Sequence, residues 1–428
     1  MEAGTAKPME LSINLQGGDI NVALILGVTG LVGKEIAAIL KRRGWKVYGV
    51  ARRNLPSPDC IFIPCDLLDR KETMDKLSQL QDVTHIFWVT WCSEFSADSQ
   101  EGCAQNESMI ANALDAVLGA AKSPKHFSLQ TGTAHYLSVG GHDVRSDGDH
   151  SDEDGETSNV TAIISKRATT ADGVDYSYYY DEESPRPANR INFYYTLEEV
   201  ARQRLSGKVG WSVHRPGLLM GNSLRTELNV MGSLCVYGSV CKHLGLPFLF
   251  GGSRQCWEEA CLDASDARLV AEQQIWAATA GPKLQQREDP DRGSEEGALV
   301  LMDGEAFNVV NGSPFTWKEV WPALAAKFGL AAPAGRGDDP FFSEEFSYVK
   351  AMGDKGVVWE EIVQKNGLLR TRMEELANWG FLDSLFRMPF KLLVSREKSD
   401  RLGFTSTCNT LTSILYWVDC IRDDKVVP

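Results

Sequence analysis

The sequence predicts an α/β fold: a doubly wound parallel sheet followed by a smaller, mainly helical C-terminal part. Two observations carry this. Between residues 22 and 132, short apolar runs alternate with stretches of helical periodicity, the pattern of a parallel sheet covered on both faces. The first run, VALIL, leads directly into Gly27-x-x-Gly30-x-x-Gly33, after which Ile36, Ile39 and Leu40 recur at helical spacing. Right-handed crossovers between the parallel strands then restrict the topology.

Taken in order, residues 1–20 read as a disordered leader. Strands are expected at Val22–Leu26, Val47–Ala51, Ile61–Pro64, His85–Val89 and His126–Leu129, with helices at Lys34–Arg43, Lys71–Leu80 and Cys103–Ala121. Residues 138–190 break the alternation. HDVRSDGDHSDEDGETSN is too polar and acidic to bury enough surface to order itself, so it reads as a flexible surface insertion. It lacks the glycine-punctuated acidic spacing of a calcium loop, and no metal site is expected there. The aromatic run YSYYYDEESPRP that closes it is expected to fold back over the site. Regularity resumes with the helix NFYYTLEEVARQRL and the strand GWSVHRPG. DASDARLVAEQQIWAATA reads as a helix capped by Asp263 or Ser265. A second polar insertion spans about 281–297, and one strand near 306–311 returns to the sheet. This divides the chain into a dinucleotide-binding part, 21–220, and a substrate-binding lid region, 221–428. Trp359, Trp379, Phe381, Phe386 and Phe390 recur at helical spacing in the latter, which favours core over a ligand box.

The glycine turn has a definite physical use. One glycine makes the tight turn, one admits a pyrophosphate to the backbone, and one lets helix and strand pack closely. The helix N-terminus then offers free N–H groups and a positive dipole end to phosphate. Gly27, Thr29, Gly30, Leu31, Val32 and Gly33 are therefore the expected phosphate cradle of a Rossmann domain. The second strand ends in Arg52 and Arg53. An acidic residue there would bind the ribose 2′-hydroxyl of NAD, whereas guanidiniums suit a 2′-phosphate, so NADPH is the expected cofactor. Asp66, with Leu67, follows the third strand where the adenine amino group would lie. Thr90 and Trp91 end the fourth, on the sheet edge where ligands bind outside strand C-termini.

Composition bounds the rest. The 428 residues carry a formal charge of −14, from 44 basic and 58 acidic side chains, which argues against nucleic acid or an anionic membrane as partner. Ten scattered cysteines form no CxxC and, with histidine, no zinc spacing, so no metal is expected. The N-terminus lacks a signal-peptide layout, and no run is long and apolar enough for a bilayer. A cytoplasmic location is the default, which makes the NVT triplet at Asn159 a chance sequon. The oligomeric state is open, a homodimer included.

Further motifs narrow the reading. GVTGLVG, WKVYGVARR, DVTHIFWVTW, SLQTG-x-x-HY, NFYYTLEE, WSVHRPG, LCVYGSVCKH, EAFNVVNG and the terminal KVVP occur in order. With them the chain resembles the plant progesterone 5β-reductase/iridoid synthase-like family, an atypical branch of the extended short-chain dehydrogenase/reductases, from about residue 20 to the C-terminus. The resemblance implies NADPH-dependent 1,4-reduction of the C=C bond of enones or enals, with a small apolar steroid or terpenoid substrate. It makes Tyr194, the first tyrosine of the NFYY pair, the catalytic residue. It places Gln130, Tyr194, Pro216 and Gly217 against the cofactor, and Trp91, Tyr136 and Phe381 against the substrate, with Phe381 on a C-terminal lid.

The sequence departs from the wider pattern at the catalytic lysine. Four residues after Tyr194 stands Glu198, and the second residue after Gly132, where this family holds its lysine, is Ala134. Neutral tyrosine already donates a hydrogen bond to a developing enolate. Alcohol oxidation instead needs a phenolate, which a nearby Lys⁺ favours. The missing lysine therefore weighs against alcohol dehydrogenase chemistry more than against enone reduction, and predicts slow turnover. The adjacent His135 is either a stand-in cation or, the favoured reading, a strand-end side chain facing solvent. Arg215 is expected to brace its loop. Two other readings stay open: a catalytically weak NADPH-binding scaffold or sensor, and another extended short-chain reductase.

Overall fold

The computed structural model describes residues 21–53, 59–137, 179–187, 190–224, 227–258, 262–279, 302–334, 339–388 and 392–428. The leader 1–20, most of the acidic insertion, Asn159, Cys261, the 281–297 insertion and Phe390 lie outside them.

Strands β1 (Val22–Leu26), β2 (Lys46–Ala51), β3 (Ile61–Pro64), β4 (His85–Trp88), β5 (His126–Gln130), β7 (Gly210–Pro216) and β10 (Asp303–Val309) form one sheet in the order β10-β7-β5-β4-β1-β2-β3. All six neighbouring pairs are parallel. Strand side chains alternate between faces, and β1 shows the consequence. Ala23 and Ile25 enter one hydrophobic core, while Val22, Leu24 and Leu26 enter the other. A strand buried on both sides must be apolar throughout, which is why VALIL reads as an unbroken apolar run.

Helices α1 (Leu31–Arg42), α2 (Arg70–Leu77), α3 (Gln100–Ala120), α4 (Phe193–Leu205), α5 (Val230–Leu244), α6 (Arg254–Glu258) and α7 (Ala267–Thr279) follow in chain order. Ile36 and Leu40 of α1 and Val270 and Ile275 of α7 fill the first core. Leu77 of α2, Ile110 and Val117 of α3, and Leu197 and Leu205 of α4 fill the second. The strand order reverses between β1 and β4, which opens the crevice where open α/β sheets bind ligands.

The C-terminal part is built on α5, which is apolar nearly all round and buried from Val230 to Cys241. A helix of that kind is stable only inside a core. Phe248, Phe250, Trp321 and Phe328 pack beside it, and Trp359, Trp379 and Phe386 are also buried, as their spacing predicts; Phe381 is half-buried. The helix Thr410–Asp423 is fastened by the buried Asp266, whose carboxylate accepts from Ser413 Oγ at 2.6 Å and Trp417 Nε1 at 3.2 Å.

Neither expected cap caps α7. A short strand β9 (Ala264–Asp266), paired with β8 (Leu218–Met220), precedes it, and Asp266 Oδ1 accepts from Arg268 N at 2.9 Å. Ser265 Oγ instead accepts from Gly217 N, and Asp263 Oδ2 accepts from Val394 N at 2.8 Å. Burial pushes the Asp263 carboxyl up to about 7 from 3.8. The folded protein therefore holds this proton when the unfolded chain has lost it. The stabilisation is complete below about pH 4 and is lost as pH rises through about 7, a span of roughly 4 kcal/mol. Asp263→Asn keeps an acceptor for Val394 N–H and is expected to flatten this part of the pH–stability curve, raising Tm at pH 8. Denaturation at pH 5 and pH 8 checks it; equal pH slopes in both proteins would refute it.

Candidate active site

The C-terminal ends of β1, β2, β4 and β5 open on a cavity of about 800 Å³. Its floor is the glycine turn. Gly27 has φ +102°, and a Cβ there would lie 2.7 Å from Val89 O, so only glycine fits both the turn and the contact with β4. A Cβ on Gly33 would lie 2.2 Å from Gly27 O, which is the close helix–strand contact. Gly30 is the N-cap of α1, with no side-chain cap and no acidic residue in the first turn. Among the described residues no side chain thus caps that helix end in competition with an anion. Ser223 Oγ donates to Thr29 O at 2.9 Å and ties the turn to the C-terminal part.

Of the residues expected at the cofactor, Gly27, Thr29, Gly30, Leu31, Val32, Arg52, Arg53, Asp66, Leu67, Thr90, Trp91 and Gln130 line this cavity, and Gly33 stands behind it. Arg52 and Arg53 are exposed, and among the described residues neither has an ion-pair partner. Asp66 is half-buried and accepts from Leu68 N through Oδ1 at 3.1 Å. Trp91 stacks on Phe193 at 5.4 Å. The opposite wall comes from the C-terminal part: Leu219, Ser223, Leu224, Glu227, Val349, Arg372 and the segment Ala377–Gly380. Tyr194, Pro216, Gly217, Tyr136 and Phe381 do not line it. Gly217 backs onto Asp263 O, and Phe381 stands one residue past the lining Gly380.

Tyr194 enters at the start of α4. Its hydroxyl lies against the loop after β5, close enough that a Cβ on Gly132 would be 2.9 Å from Tyr194 Oη. Asn192 fixes this arrangement from both sides. Its Oδ1 accepts from Tyr194 N at 3.0 Å, capping α4, and its Nδ2 donates to Ala134 O at 3.1 Å in the 3-10 turn Thr133–Tyr136. Burial pushes the phenol up to about 12, and no cation among the described residues opposes it. Among the described residues its hydroxyl has no hydrogen-bond partner. Tyr194 is thus a protonated, uncommitted donor at neutral pH.

The two lysine positions are accounted for differently. Ala134 is half-buried in its turn. Glu198 is committed to a buried cluster: its Oε1 is 3.4 Å from Arg215 Nη2 and 3.3 Å from His135 Nδ1. Burial would raise this carboxyl, but His135 and Arg215 outweigh it and hold it below the usual carboxylate range. His135 is therefore neither a solvent-facing side chain nor a lining residue of the cavity. The residue is 4 % exposed, with its ring edge-on to Tyr136 and Tyr195. Arg215 donates to Tyr136 Oη at 3.1 Å, and Tyr136 donates to Asn308 Oδ1 at 2.7 Å. The stem of the insertion does fold back here. In β6 (Tyr179–Tyr180), which pairs with β11 (Leu393–Val394), Tyr180 stacks on Tyr136 at 5.2 Å. Tyr136 is consequently covered and 3 % exposed.

Asn192, Ser223 and the buried role of Glu198 escape sequence reasoning. The only local signal is Asn192 standing directly before the helix, as an N-cap does. Among the described residues no group of His, Cys, Asp and Glu side chains could hold a metal ion, and no helix is long and apolar enough to cross a membrane.

A doubly wound sheet with a glycine cradle and a tyrosine at the start of the helix after the insertion defines an extended short-chain dehydrogenase/reductase. The NAD dependent epimerase/dehydratase family matches residues 23–166. Solved structures agree on the fold: an epimerase-like structure from Burkholderia cenocepacia, at 16 % identity, covers 95 % of this chain and 100 % of its own with a TM-score of 0.56. The Thermus thermophilus UDP-glucose 4-epimerase, at 17 % identity, covers 94 % and 99 % with a TM-score of 0.53. Relatives of known activity are much nearer. The 3-oxo-Δ(4,5)-steroid 5β-reductase of Arabidopsis thaliana is 37 % identical over 95 % of this chain and 93 % of its own. An (S)-8-oxocitronellyl enol synthase of Camptotheca acuminata is 38 % identical over the same shares, 95 % and 93 %. That of Catharanthus roseus is 35 % identical over 95 % and 92 %. The chain belongs to this steroid 5β-reductase/iridoid synthase family, and it is an oxidoreductase that uses a nicotinamide cofactor.

Proposed function

We propose that the protein reduces the activated C=C bond of small apolar enones or enals with NADPH, and that Tyr194 is its catalytic residue. The reading rests on Tyr194: a phenol pushed up to about 12 by burial, with no hydrogen-bond partner and no neighbouring cation among the described residues. Gly27, Thr29, Gly30 and the first turn of α1 would hold the pyrophosphate. Arg52 and Arg53 would hold the 2′-phosphate, and Asp66 and Leu67 the adenine. Thr90, Trp91 and Gln130, which line the cavity, would hold the nicotinamide half, with Trp91 also on the substrate side.

NADPH, when bound, supplies hydride. In conjugate reduction negative charge collects on the substrate carbonyl oxygen, and the enzyme must place a donor there. Tyr194 Oη–H is such a donor. It needs no ionisation to act, whereas a general base for alcohol oxidation would have to be a phenolate, which this site disfavours.

The test is pure protein with NADPH and either a 3-oxo-Δ4-steroid, 2-cyclohexen-1-one or an acyclic monoterpene enal, following cofactor absorbance and product. Stoichiometric NADPH oxidation with a saturated carbonyl product is expected. Tight NADPH binding without turnover on any of them would favour the scaffold reading, for which Ala134 in the lysine position is the specific observation.

Ala134→Lys separates the two further. An ammonium at this turn adds positive charge near the developing oxyanion and is expected to raise kcat by about one to two decades. Unchanged kcat with unchanged NADPH affinity would count against electrostatic catalysis at this site.

A further inference from the structure

Helix α7 places two adjacent glutamines, Gln273 and Gln274, against the sheet, 1 % and 0 % exposed. Burying such amides is costly unless every group is paired. Gln273 is absorbed by structure: its Oε1 meets His214 Nδ1 at 2.8 Å and its Nε2 donates to Asn308 O at 3.1 Å. Gln274 is different, because its partners lead to the cavity. Ser128 and Gln130 lie two apart on β5 and so share the face that α7 covers. Ser128 Oγ donates to Gln274 Oε1 at 3.1 Å, and Gln274 Nε2 donates to Gln130 Oε1 at 2.9 Å. Gln130 lines the cavity.

The polarity of this chain is fixed at its buried end. Ser128 is 0 % exposed, and Gln274 is the only hydrogen-bond partner of its hydroxyl among the described residues. If Gln274 turned its NH2 to Ser128, the serine proton would be an orphaned buried donor, at a cost comparable to a lost hydrogen bond. Gln274 must therefore accept from Ser128 and donate to Gln130. That occupies the carbonyl of Gln130 and leaves its NH2 for the cavity.

We propose that Gln274 is a positioning residue that locks the Gln130 amide with its NH2 toward the cofactor, so that Gln130 donates to an oxygen of the bound NADPH. This rests on the reading that Gln130 touches the cofactor. Gln274 never touches it and acts only through Gln130.

The test is NADPH affinity of the full-length protein, by titration calorimetry or fluorescence, in a double-mutant cycle. Gln130→Ala and Gln274→Met are each expected to weaken NADPH about 3- to 10-fold, the loss of one neutral hydrogen bond. The double variant should be no weaker than Gln130→Ala to within about twofold, because one interaction is being removed twice. Gln274→Met with wild-type affinity and only a lower Tm would overturn the proposal, as would additive losses. A second variant leaves α7 intact. Gln130→Glu keeps an acceptor for Gln274 but turns a carboxylate oxygen toward the cofactor oxygen, so it should weaken NADPH more than Gln130→Ala does. Equal or smaller loss would mean that the carbonyl, not the NH2, faces the cavity. If Gln130→Ala itself binds NADPH like wild type, the cofactor role of Gln130 fails instead.

Discussion

Tyr194→Phe is expected to lower kcat for enone reduction by about 10²- to 10³-fold, the usual cost of losing one donor aimed at a developing oxyanion. The substitution is clean here. The ring keeps its packing against Phe193, at 4.5 Å, and against the Gly132 backbone. The hydroxyl it removes has no partner among the described residues, so no buried group is left orphaned. Tm and NADPH affinity should therefore stay near wild type while turnover collapses. The pH profile adds an independent check. With the phenol pushed up to about 12, Tyr194 stays protonated from pH 6 to pH 9. The wild-type rate should show no ascending limb from its ionisation in that range. A rate that climbs with pH, or a Phe variant that retains activity, would remove Tyr194 from the donor role.

What the sequence disclosed was local. β1 begins and ends where its apolar run does, because a strand buried on both faces writes its boundaries as hydrophobicity. The glycine turn was legible for a similar reason: its demands fall on consecutive residues. Contacts between distant residues were not. Asn192 reaches Ala134 across 58 positions, and Gln274 reaches Gln130 across 144. His135 looks like a strand-end histidine until α4 brings Glu198 to 3.3 Å. The capping of α7 was misread because Ala264–Asp266 pairs with Leu218–Met220, a pairing that no local pattern announces. That pairing delays the helix and passes the capping role to Asp266. The absent lysines, by contrast, were visible at once, but their meaning was not. Only the geometry distinguishes Ala134, which leaves the turn without a cation, from Glu198, which is committed to Arg215.

Arg52→Ala together with Arg53→Ala is expected to raise the NADPH dissociation constant by about 10- to 10²-fold and the NADH constant by less than about threefold. A charge-assisted hydrogen bond is worth roughly 1.5–3 kcal/mol, and two guanidiniums on one phosphate share the loss rather than doubling it. The location makes the effect specific. Both side chains follow β2 directly, line the cavity and are exposed, and neither is held by a carboxylate among the described residues. Removing them should therefore cost little fold stability, which circular dichroism and Tm can confirm. Exposure also makes the interaction sensitive to salt, since the Debye length at physiological ionic strength is only about 8 Å. Wild-type NADPH affinity should weaken as salt rises, and the double variant should lose most of that dependence. NADH, lacking the 2′-phosphate, should show little salt dependence in either protein. Equal losses for the two cofactors would place the arginines on the shared pyrophosphate instead, and the preference for NADPH would then need another origin.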